Sequence, residues 1–190
     1  MALEHWARAC PKRFTGATWQ LVTESPAPQG ADPAEYAAMV EQLGAWLEKP
    51  YGNVVIFGAL GAGKTLITTA MCHELAMTKG LYSEFALEQR FFDDCRPDGR
   101  GIDFYTRPQV LVLDDIGTGR ATMTEFEEGR LYLLMAERWQ NRQITAMTTN
   151  LAPEVFRTYL GERIRERVVH ESLAIKLDGA SRRTQRWEAS

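Results

Sequence analysis

Phe57–Thr65 reads FGALGAGKT. An apolar run, NVVIF at 53–57, leads into it, and GKTLITTAMCHELAMTKG leads out with the pattern of a helix. Gly58, Gly63, Lys64 and Thr65 fit the spacing G-x-x-x-x-G-K-[ST]. Glycines let a backbone curl tightly and aim its N–H groups inward. The start of a helix adds a dipole that favours an anion. The stretch therefore reads as a phosphate-binding loop built from Gly58, Gly61, Ala62, Gly63, Lys64, Thr65 and Leu66. Lys64 is placed to reach the terminal phosphates of a nucleotide, and Thr65 to offer its hydroxyl to magnesium. The bland alternative is a glycine-rich turn with a solvated lysine, which gives no reason for a lysine at the mouth of a buried strand.

A triphosphate site also needs a carboxylate for its metal. VLVLDD at 110–115 is a second apolar strand, and Asp114 closes it. Asp114 at the strand tip can meet Thr65 across the crevice. Asp115 can orient or deprotonate an attacking water. The alternative for both is a pair of carboxylates capping a strand at its loop. ITAMTTN reads as another strand, ending on Asn150. An amide at that edge can position water or touch a γ-phosphate, and it can equally cap the helix that LAPEVF begins.

The rest of the chain supplies the frame. Asp32 and Pro33 suit the N-cap and first position of a helix whose face carries Tyr36, Met39, Val40, Leu43 and Leu47, with Pro50 ending it. YSEFA at 82–86 is a further strand. Residues 87–108 read as a brief helix and a loop. A long helix fits 123–141, capped by Thr124, with Phe126, Leu131, Leu134, Met135 and Trp139 on its apolar side. GERIRERVV begins another helix, and LAIKL at 173–177 is the last strand. Strands alternating with helices predict an α/β fold, a three-layer sandwich around a mainly parallel five-stranded sheet. Residues 1–34, with TESPAPQGADP among them, read as an irregular N-terminal segment, and residues 35–190 as the nucleotide-binding domain.

Composition sets the outer bounds. The chain has 190 residues, 45% of them hydrophobic and 25% charged, with a net charge of -3. That is a globular domain with a sizeable core. The charge balance does not advertise nucleic-acid binding but leaves room for a local basic face. Cys10, Cys72 and Cys95 are too far apart for a close metal or redox pair and fit a reducing compartment. No run has membrane-spanning length, and the start, MALEHWARACPKRF, is not a leader pattern, so a soluble cytoplasmic protein is expected.

Arginines concentrate late. LGERIRERVV carries Arg163, Arg165 and Arg167, and GASRR adds Arg182 and Arg183. Arg163 and Arg167 share a helix face, where Glu162 and Glu166 can pair with them in an ordinary solvated helix. Alternatively, late arginines can contact the nucleotide of their own subunit or complete the site of a neighbour. Composition does not choose between these.

Taken in order, these segments resemble the AAA+ ATPases of the bacterial helicase-loader family (DnaC-like) and the related transposon helper ATPases (IstB-like). CPKRFTGATW resembles the family's lead-in, NVVIFGALGAGKT its phosphate loop, VLVLDDIG its metal strand, TAMTTN its sensor strand, and LGERIRERV and LDGASRR its closing segments. The resemblance implies ATP and Mg2+ as cofactors. It makes Asp114 and Asp115 the metal and water-activating pair, Asn150 the sensor, Arg167 the arginine finger and Arg183 the second sensor. Arg163 matches a family arginine without so firm a role. The resemblance also implies nucleotide-dependent head-to-tail self-association, single-stranded DNA as a partner, and a replicative helicase or a transposase as a protein partner, with no membrane. Loaders of this family usually carry a separate helicase-gripping N-terminal domain. The residues before the phosphate strand are too few for one, so that part is expected to be absent, replaced or supplied by another protein.

Three functions compete on this reading. An ATP-hydrolysing, helicase-loader-like assembly factor in DNA replication accounts for the late arginines, with an IstB-like transposition helper as its nearest alternative. A nucleotide-gated interaction module with little turnover remains open because Asp115 stands where many such ATPases carry glutamate. A small-molecule kinase is disfavoured by the double aspartate and by TTN. Within 87–108, Arg90, Phe91, Phe92, Arg96 and Arg100 suggest a surface that stacks on bases and touches phosphates, against the alternative of a covering loop.

Overall fold

The computed structural model describes residues 1–169 and 172–179. Five strands form its sheet: β1 (Asn53–Gly58), β2 (Ser83–Leu87), β3 (Val110–Ile116), β4 (Ile144–Thr149) and β5 (Ser172–Leu177). Their order is β2-β3-β4-β1-β5, and every pairing is parallel. β4 thus lies between the strand that feeds the phosphate loop and the strand that carries the aspartates.

Alternation along each strand divides the core in two. Val54, Ile56, Val110, Val112, Ile144 and Ala146 face one layer, made of α1 (Ala2–Ala9), α2 (Trp19–Glu24), α3 (Pro33–Glu48) and α4 (Lys64–Thr78). Val55, Phe57, Leu111, Leu113 and Met147 face the other, made of α5 (Glu88–Asp94), α6 (Asp103–Thr106), α7 (Glu125–Gln140) and α8 (Pro153–Val169). The fold is the three-layer α/β sandwich that the sequence predicts.

Local chemistry accounts for the element ends. Asp32 caps α3, its carboxylate accepting from the N–H groups of Ala34 and Glu35, with Pro33 at the first position. Thr124 and Glu127 close a reciprocal capping box at the start of α7. Gly161, at φ 68° and ψ 168°, breaks α8 into the two helical stretches expected from LAPEVF and GERIRERVV.

Three expectations need correction. Residues 1–34 are not irregular throughout: α1, a 3-10 turn at Lys12–Phe14 and α2 occupy most of 1–24, and the loop is confined to 25–32. The cause is apolar burial, because Trp6, Ala17 and Val22 pack into the same core as α4. On α7, Phe126 and Trp139 lie outward, while Leu131, Leu134 and Met135 point in. Arg138 takes the inward position beside them. Phe91 and Phe92 are fully buried. They belong to the core under β3 and offer no ring to a base. Arg90 and Arg100 are drawn to the buried Asp94.

Candidate active site

The phosphate loop begins where β1 ends. Gly58 pairs with Leu177 of β5 so closely that a Cβ there would collide with the Leu177 carbonyl. Gly61 and Gly63 take φ of 79° and 112°, left-handed values that a side chain strains. These turns deliver the chain into α4, whose first residue is Lys64. The Lys64 side chain is buried, and its Nζ donates to the carbonyls of Gly58 at 2.8 Å and Ala59 at 3.0 Å. The ammonium is folded back over its own loop, at the mouth where phosphate oxygens would replace the two carbonyls. Ala62 is buried, and Leu66 is half-buried at the base of the helix.

Thr65 joins the loop to β3. Its hydroxyl donates to the Asp114 carboxylate, 3.0 Å from each oxygen. A hydroxyl and a carboxylate that converge beside a buried ammonium form the donor set that Mg2+ takes when its remaining ligands are water and phosphate oxygens. The side chains present therefore fit both groups, ATP at the loop and magnesium between Thr65 and Asp114. Burial pushes the Asp114 carboxyl above its usual range, and the neighbouring Asp115 charge adds to this. Hydrogen bonds from Thr148 and Thr65 and the charge of Lys64 work the other way. A divalent cation would remove that penalty.

Asp115 is half-buried, with φ at 59°. Asn150 follows the last residue of β4, and Thr149 pairs with Phe57, the residue before Gly58. Lys64, Thr65, Asp114, Asp115 and Asn150 thus share the C-terminal edge of the sheet, where open parallel sheets place ligands.

Arg167 does not join them. The Asn53 side chain, at the start of β1, donates to the Arg167 carbonyl at 3.3 Å. β1 then runs from Asn53 to Gly58, a rise of about 16 Å, before the phosphate loop begins. The Arg167 guanidinium donates to the Tyr132 hydroxyl at 3.3 Å and lies 4.7 Å from the centre of that ring. Arg163 is exposed. Arg182 and Arg183 lie outside the described residues.

Two residues near the site lie outside the set predicted from the sequence. Thr148 is fully buried and donates to Asp114 Oδ1 at 2.7 Å. Glu88, at the start of α5, accepts from the Gly117 N–H at 3.1 Å and the Tyr159 hydroxyl at 3.0 Å, which ties the loop after β3 to α8. Burial pushes the Glu88 carboxyl up against these bonds. The only sequence signal was the doubled threonine before Asn150; Glu88 had none.

The family model described as IstB-like ATP binding protein matches residues 34–190. The chain belongs to the IstB-like ATP-binding proteins. No curated protein matches it. Among solved structures, the DnaC helicase loader is similar at 17% identity and a TM-score of 0.73, over 88% of this chain and 100% of that one. DnaI is similar at 18% identity and a TM-score of 0.73, over 90% and 93%. The replication initiator DnaA bound to AMPPCP and single-stranded DNA is similar at 15% and 0.67, over 89% and 51%. These likenesses show the fold: the IstB-like chain has the P-loop architecture of AAA+ domains. Among the described residues of this IstB-like protein, no helix is long and apolar enough to cross a membrane.

Proposed function

We propose that the protein hydrolyses ATP to ADP and phosphate and uses the cycle to assemble and release a complex on DNA, in the manner of a helicase loader. One observation carries the reading: the Thr65 hydroxyl and the Asp114 carboxylate meet at 3.0 Å beside the buried Lys64. In this mechanism Lys64 leaves the Gly58 and Ala59 carbonyls to hold the terminal phosphates. Thr65 and Asp114 would hold magnesium, which would supply charge neutralisation at the phosphate oxygens. Asp115 orients the attacking water or takes its proton, and Asn150 positions that water against the γ-phosphate. Arg167, remote from the loop of its own subunit, stabilises transition-state charge in the site of a neighbour. Arg183 acts as the second sensor.

The partners follow from that cycle. ATP binding orders a head-to-tail interface between copies of the chain, and hydrolysis loosens it. Single-stranded DNA is the expected nucleic-acid partner and a replicative helicase the expected protein partner, with action in the cytoplasm. The likeness to a helicase loader and to a DNA-bound initiator supports this at the level of fold. A second reading, a transposition helper that engages a transposase, is favoured by the match to the IstB-like family over residues 34–190.

The test is the ATPase rate per subunit against protein concentration, with and without single-stranded DNA. A rate that rises with both supports shared sites in a DNA-bound assembly. A flat, DNA-independent rate removes the trans role of Arg167, and no turnover leaves a nucleotide-gated module. Binding of the purified chain to a replicative helicase or to a transposase separates the two partner readings.

A further inference from the structure

We propose that Thr148 is the positioning residue that sets the geometry of both aspartates, by locking a bulge in β3; its consequence for turnover rests on the ATPase reading above. Leu111 pairs with Thr145, Val112 with Ala146 and Leu113 with Met147, but Ile116 pairs with Thr149. Asp114 and Asp115 together therefore stand opposite the single residue Thr148. Strand alternation shows what this does. Leu111 and Leu113 face the layer of α5–α8, so an unbroken strand would send Asp115 into that apolar core. Instead Asp115 turns into the left-handed region at φ 59°, and Ile116 takes the core position, fully buried in the same cluster as Leu111 and Leu113. The extra residue lifts one carboxylate out of the core and aims it anew, as bulges beside active sites do.

Thr148 is the group that holds this arrangement. Its hydroxyl donates to Asp114 Oδ1 at 2.7 Å and accepts from the Asp115 N–H at 2.9 Å. One oxygen thereby fixes the rotamer of the proposed metal ligand and the backbone of the proposed water-activating residue. Both roles need a hydroxyl, which donates and accepts at once; a valine of the same shape does neither. Thr149 is occupied differently, donating to the Ile116 carbonyl at 2.8 Å and accepting from the Leu151 N–H. It pins the far side of the bulge and does not touch the carboxylates.

The experiment compares the wild-type chain with T148V and T148S in two measurements. The first is hydrogen exchange of the Asp115 amide in the nucleotide-free protein, read by NMR. The expected result is exchange about tenfold faster in T148V and unchanged in T148S. The second is kcat and KM for ATP at saturating Mg2+. T148V is expected to lose roughly 100-fold in kcat with KM within about threefold, since uniform binding is kept, and T148S to stay near wild type in both. Wild-type exchange in T148V overturns the proposal, as does a T148S variant as impaired as T148V, which would assign the effect to the lost methyl. If T148V does not fold, T148A replaces it with the same expectations. A wild-type chain without turnover removes the ATPase reading, and the exchange measurement still decides the bulge.

Discussion

Asn53 and Arg167 meet at the N-terminal edge of the sheet, the Asn53 amide donating to the Arg167 carbonyl at 3.3 Å. The phosphate loop lies at the other end of the same strand. An arginine anchored there serves a nucleotide only if that nucleotide belongs to another subunit. Arg167→Ala is therefore expected to bind ATP as wild type does and to lose about a thousandfold in turnover. Mixing it with Lys64→Ala should restore part of the rate, because each inactive chain contributes the half-site the other lacks. Steady-state ATPase assays of the two variants, alone and mixed, check this; a mixture as inactive as its components removes the shared site.

Lys64 presents the converse case. Its ammonium donates to two backbone carbonyls of its own loop, at 2.8 and 3.0 Å, which keeps it at the mouth of the phosphate loop. Charge-assisted hydrogen bonds contribute about 1.5–3 kcal/mol each. Lys64→Ala should weaken ATP binding by at least tenfold to a hundredfold, measured by titration with a fluorescent ATP analogue. Affinity within a factor of two of wild type would move the phosphate site elsewhere.

Arg138 is fully buried and, among the described residues, meets no carboxylate. Its guanidinium donates to Thr145 Oγ1 at 2.9 Å, to the carbonyls of Tyr105 at 3.0 Å and Pro108 at 2.9 Å, and to that of Ile144. Burial pushes its pKa down to about 9, so it remains charged at neutral pH. It satisfies carbonyls of α6, of the turn into β3 and of the first residue of β4. Arg138→Ala leaves them unpaired around a cavity, and a loss of about 3–5 kcal/mol is expected. Urea unfolding measures it. A loss under about 1 kcal/mol would mean that water replaces the guanidinium.

Asp94 supplies the pH dependence. Burial raises its pKa, but the Tyr105 hydroxyl, Arg100 and Arg90 outweigh burial and hold the carboxyl below its usual range. A folded-state pKa below the unfolded value stabilises the fold above the unfolded pKa, about 3.9. That contribution disappears as the pH falls through the folded value. Between neutral pH and about pH 5 the group should add almost no slope. Thermal melts of Asp94→Asn and wild type should therefore differ at pH 7 and converge toward pH 3. Parallel curves over that range would show that Asp94 does not carry the acid sensitivity.

Much of this was legible because backbone chemistry leaves residue-level marks. Asp32 and Pro33 announced α3, the apolar runs announced β1, β3 and β4, and the glycine-lysine-threonine spacing announced the turn into α4. What was not legible depends on partners distant in sequence. The apolar pattern puts Trp139 on the inner side of α7, yet the tryptophan is half-exposed and Arg138 is buried, because the carbonyls that bind the arginine come from α6, the turn into β3 and the first residue of β4. Phe91 and Phe92 looked available to nucleic acid until β3 was laid over them. In the sequence Thr148 is only part of the TTN ending. Its partners on β3 lie 33 and 34 residues away, and no periodicity records a bulge.

The family match begins at residue 34, whereas the apolar core does not respect that boundary. Trp6, Ala17 and Val22 are built into the layer that supports α4, the helix that carries Lys64 and Thr65. A fragment cut at the start of the family homology would expose that side of the helix to water and invite aggregation. The shortest form of this ATP-binding unit worth expressing therefore keeps α1 and α2, and sequence homology alone would have set the scissors in the wrong place.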